Sequence, residues 1–196
     1  MMPKIVVLMS GGIDSTTLCH LAMGLDRLHS AICFDYRQPA ARQERWAVSS
    51  WAALHDVDVH YINVTIPGTR DRMALGPGED GLRVLPGRNM ILLAHAVNYA
   101  VVNGADTVWY GATKDDRAYP DCRPEWLRAF NAMATAGSGV AVEAPYIDKT
   151  KADVVRAARA LDVDLEATWS CYDPLEGMPC GGCHSCKERA AVRGGQ

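Results

Sequence analysis

The chain has 196 residues, 48% of them hydrophobic, and sets 20 basic against 23 acidic residues for a formal charge of −3. That length can bury one substantial core, so a single globular unit is expected, and the near-balance of charge argues against a surface built to bind nucleic acid or membrane. Of the seven cysteines, four crowd near the C-terminus, which suits a reducing compartment and a metal site better than a disulfide framework. No signal-peptide pattern opens the sequence and no apolar stretch is long enough to span a bilayer, so a cytoplasmic setting is expected.

In chain order, Ile5–Met9 is a β-branched apolar run that predicts a buried strand. It stops at Ser10-Gly11-Gly12, and a helix is expected from about Asp14 to Leu25. A second strand, Ser30–Asp35, ends at Asp35-Tyr36, where a doubly wound sheet usually meets its nucleotide. A helix over Ala40–Leu54 follows, with Trp46, Ala47 and Trp51 expected on its inner face, and Val57–Val64 predicts a third strand. Thr65–Gly87 has no clear period and is expected to be a lid or substrate loop. Asn89–Asn103 is apolar nearly all round, as in a helix held between the sheet and another element, such as a partner subunit. Thr107–Tyr110 predicts a fourth strand, Ala112–Arg123 a polar loop, and Pro124 the first residue of a helix to about Ala134. A short strand near Val140–Val142 precedes a helix over Thr150–Leu161, which Thr150 and Asp153 open as a capping box; its inner stripe is Val154, Ala157, Ala158 and Leu161. Strands alternating with helices predict an α/β fold, a doubly wound parallel sheet.

Two stretches carry chemistry. In Ser10-Gly11-Gly12-Ile13-Asp14-Ser15 the glycines permit a turn whose N–H groups converge, and the helix behind it adds the positive end of its dipole. The plainer reading, Asp14 or Ser15 as a helix cap, is weaker because the whole loop follows the first strand of an α/β pattern. The second stretch is Cys171, Cys180, Cys183 and Cys186, spaced C-x8-C-x2-C-x2-C. Four thiolates meet the ligand number and softness of a structural zinc site, with an iron–sulfur cluster as the competitor. Cys19 and Cys33 are expected to fill the core.

The S-G-G-x-D-S loop resembles that of the ATP pyrophosphatase (PP-loop) superfamily, which splits ATP between its α and β phosphates. Together with Leu85-Pro86-Gly87-Arg88-Asn89, Tyr119-Pro120-Asp121-Cys122-Arg123 and Ser170-Cys171-Tyr172, it resembles the 7-cyano-7-deazaguanine synthase (QueC) family from Lys4 to about Arg193. The resemblance implies a PP-loop unit over residues 1–165, with a zinc-binding tail over 166–196 packed on it. It implies a ligase that adenylates 7-carboxy-7-deazaguanine with ATP and Mg2+, takes up ammonia as an amide, and activates that amide to a nitrile. On this reading Ser10, Gly11, Gly12, Asp14, Ser15 and Asp35 bind ATP, and Arg88 and Lys149 face its phosphates. Asp14, Arg88, Asp121 and Lys149 serve catalysis, and Tyr119, Asp121 and Arg123 line the purine-like substrate. Zn2+ sits on the four cysteines, the enzyme works as a homodimer, and it makes no direct contact with nucleic acid.

Three departures fall near the expected substrate pocket. Ala118 stands where the family carries Gly, the usual histidine a few residues after Gln38 is lacking, and Thr65–Gly87 is abbreviated. They leave open an enzyme that adenylates another carboxylate or stops at the amide. A tRNA-thiolating relative is disfavoured by the charge of −3. A zinc-ribbon binding module without catalysis is disfavoured by the intact phosphate loop.

Overall fold

A computed structural model describes residues 2–69 and 85–194. The β-branched run near the N-terminus forms β1 (Ile5–Leu8), and α1 (Ile13–Gly24) starts directly after the two glycines. β2 (Leu28–Asp35), α2 (Ala41–His55) and β3 (Val59–Asn63) complete the first half. The second half contains α3 (Arg88–Asn103), β4 (Thr107–Trp109), two 3-10 turns (Lys114–Ala118 and Pro120–Cys122), α4 (Pro124–Ser138), β5 (Ala141–Glu143), α5 (Lys151–Ala160) and α6 (His184–Gly194).

The five strands are all parallel and ordered β3-β2-β1-β4-β5. β1 lies centrally, with Val6 opposite Ser30 on one side and Val108 on the other. Alternate strand residues therefore serve two cores. Val6, Ile32, Phe34 and Val108 pack with Leu93 and Ala96 of α3 and Phe130 of α4. Ile5, Val7, Met9 and Cys33 pack with Leu18 and Cys19 of α1 and Val48 and Trp51 of α2. Cys19 and Cys33 do fill the core, and burial pushes the Cys33 thiol up to about 12.

Three expectations are corrected in detail. Trp46 is 66% exposed, and Val48 joins Ala47 and Trp51 on the inner face of α2. Positions 47, 48 and 51 form one stripe at helical spacing, whereas 46 falls outside it. α3 is buried on one face only, through Leu92, Leu93, Ala96 and Ala100, while Met90, Val101 and Val102 remain exposed. α4 runs to Ser138, one turn beyond Ala134, until Gly139 closes it at φ +77°. The capping box at Thr150 forms as expected: its side chain accepts from the Asp153 N–H, and the Asp153 carboxylate accepts from the Thr150 N–H at 2.8 Å. Most of the expected lid, residues 70–84, lies outside the described residues. Among the described residues no helix is long and apolar enough to cross a membrane.

Candidate active site

The strand order reverses between β1 and β4, and a parallel sheet opens a crevice at the carboxyl ends of its strands at such a point. A cleft of 230 Å3 occupies it. Its floor includes Leu8, Ile32 and Phe34 from the strands, and one side is the turn between β1 and α1.

That turn is closely built. Gly11 takes φ +76°, and a Cβ there would stand 2.9 Å from the Ala47 Cβ and 3.1 Å from the Glu44 carbonyl oxygen. Only glycine fits both the backbone angle and the space. The Ser10 N–H donates to Ser15 Oγ at 3.2 Å, and Ser15 Oγ donates to the Gly12 carbonyl at 3.2 Å. No side chain caps α1 at Gly12, so the helix presents its first turn of N–H groups and its positive dipole end to an anion. Ser10, Gly12, Asp14 and Ser15 line the cleft; Gly11 instead packs against α2 and shapes the turn.

Asp14 forms an ion pair with Lys151, the first residue of α5. Burial opposes the lysine's charge, but the Asp14 carboxylate beside it, with Asp116 further off, holds it protonated above its ordinary range. The second Asp14 oxygen, Oδ1, is buried without a hydrogen-bond partner. A buried carboxylate oxygen left bare in a cleft is the donor a hard, oxygen-seeking cation takes. Close approach of Gly111, whose added Cβ would meet the Asp14 Cβ at 3.2 Å, fixes this carboxylate from the β4 side.

The structure separates the other expected residues. Arg88, at the start of α3, lines the cleft, and its Nη1 donates to the Tyr36 hydroxyl at 3.5 Å. Tyr119 lines it too and is 8% exposed. Lys149 is exposed and does not line the cleft, whereas Lys151 does. Asp35 accepts the Arg37 N–H at 2.8 Å, bracing a turn in which Arg37 takes φ +65°, and stays out of the cleft. Asp121 accepts the Asn89 N–H at 3.2 Å in the first turn of α3, and Arg123 donates to the Arg117 carbonyl at 2.9 Å; both support the wall without lining it.

Sequence reasoning missed several lining residues. Tyr110, at the end of β4, buries a hydroxyl without a partner. Glu44, on α2, accepts from the Gln38 side-chain amide at 2.7 Å; burial pushes its carboxyl up to about 7, against Gln38 and then Arg88, which pull it down. Cys122 lies at the cleft, but burial pushes its thiol up to about 12, so it is no reactive thiolate. The signal for Glu44 was present in principle, as one acid placed a helical turn inside α2 after the β2 loop.

The tail forms a wall of the same cleft. Its Trp169 N–H donates to the Gly11 carbonyl at 2.7 Å, and Trp169, Tyr172, Ser185 and Glu188 line the cleft. Arg189 ties α6 back, donating to Thr168 Oγ1 at 2.8 Å and Ser170 Oγ at 3.1 Å. The sulfurs of Cys171, Cys180, Cys183 and Cys186 all lie within 4.8 Å of one another. Tetrahedral zinc with sulfur at about 2.3 Å needs sulfurs roughly 3.8 Å apart, so the four fit such an ion. The Cys180 N–H donates to Cys171 Sγ at 3.3 Å and the Cys183 N–H to Cys180 Sγ at 3.4 Å, as suits sulfurs carrying negative charge. His184 stands outside this set and faces Glu188 at 3.4 Å.

A parallel doubly wound sheet with this uncapped, glycine-built turn at its switch point defines the PP-loop class of ATP-utilising enzymes. Solved structures agree at the level of fold. The chain superposes on the U34-tRNA thiolase NcsA of Methanococcus maripaludis, solved with its [4Fe-4S] cluster, with TM-score 0.55 and 13% identity, covering 97% of this chain and 64% of that one. It superposes on NMN synthetase of Francisella tularensis with TM-score 0.57 and 17% identity, covering 99% and 78%. The family described as queuosine biosynthesis protein QueC matches residues 4–193. Among curated relatives, the 7-cyano-7-deazaguanine synthase of Pseudoalteromonas translucida (strain TAC 125) is 37% identical over 96% of this chain and 93% of its own. That of Archaeoglobus fulgidus is 36% identical over 95% and 84%. The chain belongs to the QueC family.

Proposed function

We propose that the chain is an ATP-dependent carbon–nitrogen ligase that converts 7-carboxy-7-deazaguanine and ammonia to 7-cyano-7-deazaguanine, by way of an adenylated carboxylate and an amide. The observation that carries the reading is the Ser10–Ser15 turn at the sheet's switch point, with the Asp14–Lys151 pair beside it, in a chain of this family. A carboxylate oxygen and an amide oxygen are both poor leaving groups, and ATP supplies AMP as a good one.

The chain's own residues then have distinct tasks. Ser10, Gly12 and Ser15, with the first turn of α1, hold the departing pyrophosphate. Lys151 takes the place beside the phosphates that the sequence alone assigned to Lys149, and Arg88 holds an anionic oxygen. Asp14, through its bare oxygen, with Asp116 at the same cleft, would hold Mg2+, which neutralises phosphate charge. Tyr119 offers the acceptor ring an aromatic wall. Asp121 and Arg123 act on the acceptor only through the wall they brace. Cys171, Cys180, Cys183 and Cys186 would hold Zn2+ as a closed structural site, with no position left for water. Residues 166–196 act as part of the catalytic unit formed with 1–165, and the exposed flank of α3 (Met90, Val101, Val102) is the contact of a homodimer; a monomeric mass by light scattering at micromolar concentration overturns the dimer.

Incubation with ATP, Mg2+, ammonium and 7-carboxy-7-deazaguanine, followed by mass spectrometry, tests the reading. The nitrile is expected. Amide alone would redefine the enzyme as one that stops halfway, and no nucleotide cleavage with any acceptor would leave a binding module.

A further inference from the structure

Four carboxylates line the cleft among the described residues: Asp14, Glu44, Asp116 and Glu188. Three are already engaged by charge or by strong local donors. Asp14 is paired with Lys151. Asp116 accepts from both the N–H and the hydroxyl of Thr113, at 2.9 and 2.6 Å, closing the cap of a 3-10 turn. Glu188 faces His184 at 3.4 Å and feels the charge of Lys151. Glu44 differs: the hydrogen bond it accepts is from the neutral Gln38 amide, and Arg88 acts on it through charge without a hydrogen bond.

Gln38 is itself 6% exposed and fully used. Its amide nitrogen donates to the Phe34 carbonyl at 3.1 Å as well as to Glu44, and its oxygen accepts the Tyr36 N–H at 2.9 Å. This network ties the end of β2 to the first turn of α2 and fixes the Glu44 carboxylate at the cleft. Gln38 occupies one lone-pair site of Oε2, and a carboxylate has about four such sites. A desolvated acid with so little local support is stabilised by a ligand that brings N–H donors to it. Asp121, the carboxylate that sequence reasoning placed against the substrate's N–H groups, is spent on the start of α3.

We infer that Glu44 is the specificity-determining residue for the acceptor: it accepts the parallel N–H donors of a 2-amino-pyrimidinone edge, the ring N–H and the exocyclic amine. The assignment rests on the proposed ligase reading, since it concerns what the acceptor presents to the cleft. Arg88, in the same cleft, takes the acceptor's anionic end, so the two residues of opposite charge fix the ring's direction. A planar heterocycle gripped this way is held by its amidine-like edge and not by its apolar faces alone, and a site built to receive an N–H rejects the analogue that lacks it.

The test compares wild type with Glu44→Gln on two acceptors, 7-carboxy-7-deazaguanine and its analogue without the exocyclic amine, by acceptor-dependent pyrophosphate release. Wild type is expected to lose about 10- to 100-fold in kcat/KM on the analogue. E44Q should lose a similar factor on the full acceptor, discriminate little between the two, and keep its KM for ATP and ammonium within about twofold. If E44Q separates the two acceptors as strongly as wild type, the assignment fails. It fails equally if the ammonium KM rises while the acceptor KM stands, since Glu44 would then hold the nucleophile. The wild-type comparison needs no variant, so a folding defect in E44Q does not blunt the test. Absence of acceptor-dependent pyrophosphate release by wild type is a different result, and it sinks the ligase reading itself.

Discussion

At the scale of single residues, the site depends on positions where one atom decides the outcome. Gly11→Ala combines a left-handed backbone with a 2.9 Å contact to Ala47, so roughly 2–4 kcal/mol of stability is expected to go, read by urea unfolding. A loss below about 1 kcal/mol would mean that α2 yields readily at that point. Lys151→Met should lower turnover at least about 100-fold, and Lys149→Met should leave it within about twofold; equal effects would undo the placement of Lys151. Glu44 carries a pH signature in the unliganded protein. Its carboxyl is raised from 4.5 to about 7, so in that window the folded chain keeps a proton that the unfolded chain releases. The unfolded state binds fewer protons, and stability therefore falls as pH rises from about 4.5 to 7. E44Q, which has no such proton, should lack this contribution, roughly 2 kcal/mol between the ends of the window. Identical pH–stability curves for the two proteins would contradict the raised value. The glycine-built turn after β1 was legible in the sequence because glycine, serine and aspartate act there locally. Lys151 was not, because Lys149 and Lys151 flank the same helix cap and only the fold shows which of them enters the cleft.

At the scale of elements, periodicity found the five strands and the helices α1 to α5 but neither α6 nor the two 3-10 turns, and its errors over which side chains are buried have one cause. A helix such as α3 that is apolar on most sides does not say which side it buries; packing against β1 and α4 selected Leu92, Leu93, Ala96 and Ala100. Trp46 fails in the same way, since hydrophobic character without the right phase leaves a side chain in solvent. The C-terminal helix α6 has little apolar pattern of its own, and its place is set by the cysteine cluster, whose last member Cys186 lies in its first turn, and by the grip of Arg189. Stripping the metal proposed for the four cysteines with a strong chelator should therefore loosen α6, withdraw Ser185 and Glu188 from the cleft and abolish turnover, with a shift in Trp169 fluorescence. Turnover that survives complete metal loss would show that the wall stands without it.

At the scale of the whole molecule, residues 166–194 complete a cleft begun by the sheet. The absence of any linker before the cysteine cluster was legible in the sequence. The tail's role as a wall was not, because contacts between residues far apart in sequence leave no local pattern. A chain ended at residue 165 should lose nucleotide binding, measured by calorimetry, and one that bound ATP normally would show the tail to be dispensable. The hydrogen bond from the Trp169 N–H to the Gly11 carbonyl makes this dependence reciprocal. Gly11 shapes the turn proposed to receive phosphate, and Trp169 lies two residues before the first sulfur of the cysteine set. The two proposed binding equilibria thus share one peptide contact, and linkage requires that whatever factor metal adds to nucleotide affinity, nucleotide adds to metal affinity. A chelator titration run with and without ATP reads that factor from either side: the saturated enzyme should surrender its metal more reluctantly than the empty one.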